Sequence, residues 1–420
     1  MAETAPAGRR KASLGFIYVA VLVDYLSLGI IIPVFPILLK TLTGQGDAGA
    51  AQIAGIFAAT WALMQLIFAP IFGNLSDRIG RRPVLLVSMF GTSLDFVIMA
   101  LAPTIAWLFV GRVISGVTSA SESAASAYVA DVSTPETRAR NFGRFQASGT
   151  AGILLGPALG GLLGSWNPRA PFWAAAALAL ANGLYGLFVL PESLAVERRT
   201  PFRWSRANPV GAVALLMSRP GLAGLAAVAF LFQFASMSFN SIFQFFTHYR
   251  FGWGPAGIAV FLVALSGGSM IVESFAAGAV AAWIGERRAV IAGVALGAAG
   301  FLGLGLAPTE PWFWAATAVV IMAGVASPSL MSMLSAHVGE SEQGQLQGAL
   351  SLLLGLAALV APIAFTNLFA WAIGPGRGLG LPGLPVLVGA ALTTGGLGLA
   401  LLYARPPQAV AIIAPESSAD

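Results

Sequence analysis

Hydrophobic residues run along this chain in twelve long, nearly unbroken stretches separated by short polar gaps. The stretches fall at 14–39, 50–74, 83–103, 105–131, 139–164, 171–190, 220–247, 254–283, 287–306, 311–337, 343–370 and 382–403. None alternates as a barrel strand does, and each reaches the roughly 20 residues that a helix needs to cross a bilayer. Lipid offers the backbone no hydrogen-bond partners, so an apolar segment immersed in it closes its own bonds as a helix. The pattern predicts an all-α membrane protein of twelve transmembrane helices. One longer polar connection, 191–219, separates an N-terminal six-helix half, 1–190, from a C-terminal six-helix half with a short tail, 220–420. Ile79-Gly80-Arg81-Arg82 after the second stretch returns as Ile284-Gly285-Glu286-Arg287 after the eighth, as expected of repeated units that rock about a central cavity.

Composition strengthens this picture. The chain is 57% hydrophobic and 9% charged with a mean hydropathy of +0.82, against about 45–50% and 25% for soluble domains. A net charge of +5 and a pI near 10.0 could mark a nucleic-acid binder, yet the basic residues gather on no single element and instead recur in the gaps. Their distribution is topological: of the 22 Lys and Arg, only Lys40, Arg169, Arg250 and Arg377 fall on one face and Arg112 lies within a stretch. The basic excess belongs to the cytoplasm, so both termini are expected there, in a multi-pass protein of the cell inner membrane. Arg9-Arg10-Lys11 resembles the start of a signal peptide, but the run that follows is too long and reads as a retained first helix. With no cysteine and only His248 and His337, far apart in sequence, no metal or cofactor site is expected.

The candidate chemistry lies in polar residues inside the stretches. An ionisable group at the bilayer centre costs about 2.5–3.5 kcal/mol on insertion scales and is functional by default. Asp24, Asp95, Arg112, Glu122 and Glu273 are of this kind. Arg112, Ser115, Ser119, Ser123 and Ser126 share one side of the fourth helix within roughly 60°, a wet stripe from which Glu122 is displaced by roughly 80°. Gln233, Asn240 and Gln244 repeat such a stripe in the seventh helix, amid phenylalanines expected mostly against lipid or neighbouring helices. A carboxyl whose surroundings alternate between wet and dry can load a proton in one state and release it in the other. Asp24 and Asp95 are therefore expected as proton or cationic-substrate sites, tuned by Arg112; the alternative is an Arg112–acid pair that only fixes helix packing.

Two motifs carry more. Gly73-Asn74-Leu75-Ser76-Asp77-Arg78-Ile79-Gly80-Arg81-Arg82-Pro83 follows the second helix and resembles the signature loop of the major facilitator superfamily. Gly152-Ile153-Leu154-Leu155-Gly156-Pro157-Ala158-Leu159-Gly160-Gly161 in the fifth helix is similar to the element that marks antiporters of that superfamily; its small residues permit close helix contact and its proline a bend. Asp24 with the run Gly29 to Pro36, Gln65, Ser93-Leu94-Asp95, Gly111-Arg112, Arg250-Phe251-Gly252-Trp253 and Gln343-Gly344 resemble the tetracycline/proton antiporters and their drug-exporting relatives.

That resemblance implies a monomeric, proton-coupled antiporter that exports a small organic drug by alternating access, with a tetracycline-like compound as the leading candidate and no nucleic-acid partner. It also implies that Asp77 stabilises the outward-facing state by engaging the start of the eleventh helix, with Asp131 and Arg138 in the same charge network. Two departures qualify the substrate: Ser269 and Gly297 stand where the tetracycline pumps carry an intramembrane histidine and aspartate, and Glu273, one turn away, is the candidate substitute. The rival expectation is a proton-coupled importer of a small solute on the same fold. No nucleophile–base pair or nucleotide-phosphate loop points to an enzyme.

Overall fold

The computed structural model describes residues 7–118, 121–201, 215–217, 220–339 and 342–404. Among these residues every regular element is helical, and eleven helices are long and apolar enough to cross a membrane. In the first half these are α1 (Ala7–Ile31), α3 (Asp47–Ile79), α4 (Arg81–Leu101), α7 (Pro135–Trp166) and α8 (Ala170–Val189), with α2 (Phe35–Thr43) after α1. Between α4 and α7, α5 (Ile105–Thr118) and α6 (Ser121–Val132) are the described parts of a further span, which brings the count to twelve. Most of the expected 191–219 connection lies outside the described residues.

The second half comprises α9 (Pro220–Asn240), α10 (Phe243–Phe251), α11 (Pro255–Ile271), α12 (Ala277–Ile284), α13 (Glu286–Leu306), α14 (Glu310–Met322), α15 (Ala326–Ala336), α16 (Gln343–Ile373) and α17 (Leu384–Tyr403). A π-helical turn, Val272–Ala276, joins α11 to α12, and a 3-10 turn, Ala323–Val325, joins α14 to α15.

Among the described residues, two of the predicted runs are broken by non-helical residues. The 14–39 run breaks at residues 32–34, where Pro33 has no N–H to give and Pro36 opens α2. The 220–247 run breaks after Asn240, where the Ile242 N–H shortens its reach to the Phe239 carbonyl at 3.1 Å. The short helices that follow, α2 and α10, each end on a left-handed glycine, Gly44 (φ 66°) and Gly252 (φ 71°). Gly80 (φ 111°) and Gly285 (φ 84°) make the two equivalent tight turns between spans. Both are positions where a side chain would strain the backbone, so the echo read in the sequence is an echo of turn geometry.

Helices α1, α7 and α8 pack together in the first half, as do α9, α13 and α17 in the second. Across the halves, α3 lies on α16 and α7 on α11. The core is uneven along the bundle. At the end away from the termini one buried cluster draws on both halves, joining Val34, Phe57, Phe96 and Phe172 to Phe239, Phe261, Phe313 and Phe365. At the end nearer the termini the buried residues form two clusters, one from each half: Phe16, Leu85, Tyr128 and Phe145 in the first, Leu222, Val290, Leu334 and Leu346 in the second.

Two basic residues at the far end close helices. Arg169 donates to the Ala100 and Ala102 carbonyls at 2.9 and 3.0 Å, and Arg250 to the Ala307 carbonyl at 3.3 Å. Those carbonyls end α4 and α13, where the helix leaves acceptors unpaired and the dipole favours a cation.

Candidate functional site

Asp95 sits on α4 facing α5 and is 1% exposed. It approaches because residue 111 is glycine: a Cβ there would fall 2.5 Å from the Asp95 Oδ1. One residue on, Arg112 supplies the counter-charge to Asp95. Its guanidinium carbon lies 4.3 Å above the ring of Phe57 on α3, and its Nη2 reaches the Met99 sulfur at 3.8 Å. Phe57 is itself held by Phe35 and Phe109, at ring-centroid distances of 4.6 and 5.8 Å. Ser115, one turn along α5, is buried beside them. The Ser115 hydroxyl acts on the Asp95 carboxyl, whereas the Arg112 Nε has no hydrogen bond among the described residues.

A structural ion pair in a low-dielectric interior recovers its desolvation cost only when good geometry and further hydrogen bonds satisfy both partners. Here the further contacts are few, and the cation leans on an aromatic face and a thioether sulfur.

The other expected acids are placed elsewhere. Asp24 is half-buried on α1 and lines a narrow cavity with Tyr25, Met89, Ala125 and Phe145, toward α4, α6 and α7. Glu273 is exposed and lies in the π-helical turn, close to Gly324 in the 3-10 turn of the neighbouring span. Single π turns inside helices recur at functional positions. The spacing of residues in the sequence carries no sign of either irregular turn. Glu122 belongs to α6, but its side chain lies outside the description, and Ser119 lies outside the described residues.

Of the candidate cavity residues, Gln65 on α3 and Gln233 on α9 are half-buried, and Ser123 and Asn240 are exposed. Gln244 does not continue the α9 stripe, because the helix breaks before it and the expected 100° per residue no longer applies. The phenylalanines of this region do pack on neighbouring helices: Phe239, Phe243 and Phe246 are buried among Phe261 and Phe313. Gly297 is buried under Phe232, which a Cβ would meet at 2.8 Å. The space of an aspartate is thus filled at that position.

The loop after α3 is organised by Arg81. Its guanidinium donates to Ser76 at 2.6 Å, to Asp77 at 2.5 Å and to Asp131 at 3.2 Å. Asp131 also accepts from the Ser193 hydroxyl at 3.0 Å. Sequence reasoning missed Glu192, whose carboxylate accepts the backbone N–H groups of Arg81 and Arg82 at 2.8 and 3.2 Å and so caps α4. Its one sequence signal is an acid placed directly after an apolar run. Arg82 donates to the Leu187 carbonyl at 2.7 Å. Arg138, expected in this network, is exposed on α7 and pairs with neither Asp77 nor Asp131 among the described residues. Asp77 likewise pairs within its own loop, with Arg81, and makes no contact with the start of α16 among the described residues. Gly73 is uncrowded, and Arg78 is exposed.

The α7 glycines serve contact. A Cβ on Gly156 would lie 2.6 Å from the Gly29 Cα, and one on Gly152 would lie 2.9 Å from the Leu26 N. Gly160 is pressed against the Ile30 carbonyl, and Pro157 abuts Gly29. On another side of α7, Gly161 meets Ala259 and Pro255 of α11. The helix is therefore shared between its own half and the other.

Helical spans arranged in two halves, with a charged pair buried inside one of them, define a multi-pass membrane transporter and not an enzyme. The model of the Major Facilitator Superfamily matches residues 17–362, and the chain belongs to that family. It is 37% identical to the class C tetracycline resistance protein of Escherichia coli over 89% of this chain and 92% of that protein. It is also 37% identical to the class G tetracycline resistance protein of Vibrio anguillarum, over 84% of this chain and 90% of that one. Among solved structures, the human organic anion transporter MFSD10 (TETRAN) shares the fold at a TM-score of 0.68 and 22% identity, over 94% of this chain and all of that one.

Proposed function

We propose that the protein is a proton-coupled antiporter of the bacterial inner membrane that exports a small organic drug, a tetracycline-like compound first, with both termini in the cytoplasm. The observation that carries this reading is the juxtaposition of Asp95 and Arg112: opposite charges inside the bundle, with the guanidinium resting on the Phe57 ring and the Met99 sulfur. A proton arriving on Asp95 removes the charge that holds Arg112. The guanidinium then leans wholly on Phe57, two residues along α3 from Gly55, which is pressed on Pro362 and Thr366 of α16 in the other half. A change of charge at the pair is in this way felt where the two halves meet. The resistance named in the two relatives supports a drug as cargo.

The energetic scale is adequate. One proton moving down about 100 mV yields about 2.3 kcal/mol from the electrical term. That sustains a gradient of roughly 50-fold if one net charge crosses per cycle. Asp24 and Glu273 are the further acids assigned to coupling, and Gln65, Ser115, Gln233 and Asn240 to the cavity. The carrier acts as a monomer.

The test is tetracycline uptake into inverted vesicles energised with a proton gradient. Uptake is expected with the native chain and is expected to be lost in Asp95→Asn at equal membrane abundance. Unchanged uptake in that variant contradicts the reading.

A further inference from the structure

The far end of the bundle carries a polar cluster that joins the halves. Lys40 lies near the end of α2 and Asp47 opens α3, both in the first half, while His248 belongs to α10 in the second. The Asp47 carboxylate pairs with the Lys40 ammonium, and the His248 Nδ1 lies 3.1 Å from its other oxygen. Lys40 Nζ is 3.1 Å from the same ring nitrogen. A single ring nitrogen cannot donate to Asp47 and accept from Lys40 at once. The carboxylate is thus the common partner of two groups that come from opposite halves.

Three further facts give this cluster its meaning. It caps the end where the apolar core is shared by both halves. A second polar bridge lies on the same seam, the Gln52 amide of α3 donating to the Asn367 carbonyl oxygen of α16 at 3.0 Å. The helices that bring Lys40 and His248 to it are the two short ones beyond the helix breaks at 32–34 and 241–242, set apart from α1 and α9 by those turns. His248 is 45% exposed at its side chain, so water can take over its contact when the halves part.

We propose that His248, clasping Asp47 and its partner Lys40, is a positioning residue: a latch that holds the far end closed and must release before the cavity opens there. The proposal rests on the alternating-access reading above. The chain has no cysteine, so introduced thiols report alone. In the Asp47→Cys/His248→Cys double variant, mild oxidation is expected to cross-link the halves and stop transport, and reductant to restore it. A cross-linked protein that still transports at its reduced rate overturns the latch; so does failure to cross-link when both thiols are reactive.

A second readout needs no transport. Thr366, 1% exposed on the seam, is replaced by cysteine and probed with an impermeant maleimide from the far side. Adding His248→Ala is expected to raise labelling about two- to fivefold, the scale of an exposed ionic contact. Adding His248→Gln, whose amide can still donate to Asp47, is expected to leave labelling near the parent level. Equal labelling with alanine and with the native histidine overturns the proposal. Because labelling needs neither drug nor proton gradient, a chain that failed as a drug exporter would still return this answer.

Discussion

The two ends of the bundle are held by different physics. At the far end the halves share one apolar core, with Trp253, Phe261 and Phe313 in mutual ring contact and glycines at 55 and 161 bringing helices of opposite halves together. At the near end each half keeps its own core, and the strongest polar contacts, around Arg81, Asp131 and Glu192, stay within the first half. Among the described residues, the buried core is thus common to both halves at one end and divided between them at the other. The comparison teaches where the work of switching would fall in the proposed antiporter: the far end would surrender apolar contacts, and the near end would acquire them.

The largest expected effect comes from forcing the far end apart. Gly55→Leu places a side chain against the Pro362 carbonyl, 2.8 Å from the Cβ position. Overpacking of this kind costs about 1–3 kcal/mol, so transport in vesicles should fall by roughly tenfold or more while near-end thiol labelling persists. Gly156→Leu makes the matching test within one half. Its clash with Gly29 should lower the yield of folded protein, read by size-exclusion profile, because α1 and α7 then cannot close.

Effects at the near end should be smaller. Glu192→Gln keeps the shape of the α4 cap but loses its charge. With the carboxylate exposed, the loss is expected at about 1 kcal/mol. For a half of this size that is about 2–4 °C in melting temperature, with transport retained. The smallest expected effect is that of Gln52→Ala, one exposed hydrogen bond at the low end of the net range, about 0.5 kcal/mol, visible as a modest rise in far-side labelling. A Glu192 variant that lost transport and kept its melting temperature would break the division between the two ends.

Much of this was legible in the sequence, for a physical reason. Lipid forces apolar runs of helical length, so the spans and the turns at Gly80 and Gly285 could be placed by reading along the chain. The nearness of Asp95 and Arg112 was also within reach, since two opposite charges inside apolar runs tend to lie together. What could not be read depends on contacts without a period. Gln244 fell off its stripe because helical spacing presumes an unbroken helix, and residues 241–242 carry no proline to warn of the break. His248 and Asp47 stand far apart in sequence and meet only through the fold. Arg138 looked like a member of the near-end network by proximity along the chain, whereas Glu192, from the other end of the half, caps the helix.

The central claim is that the Asp95 carboxyl couples proton movement to cargo movement. The direct measurement is drug flux in liposomes of purified protein across an imposed pH difference, native beside Asp95→Asn. The account predicts flux that follows the pH difference in the native chain and ignores it in the variant. Native flux that is the same with and without the pH difference would contradict it.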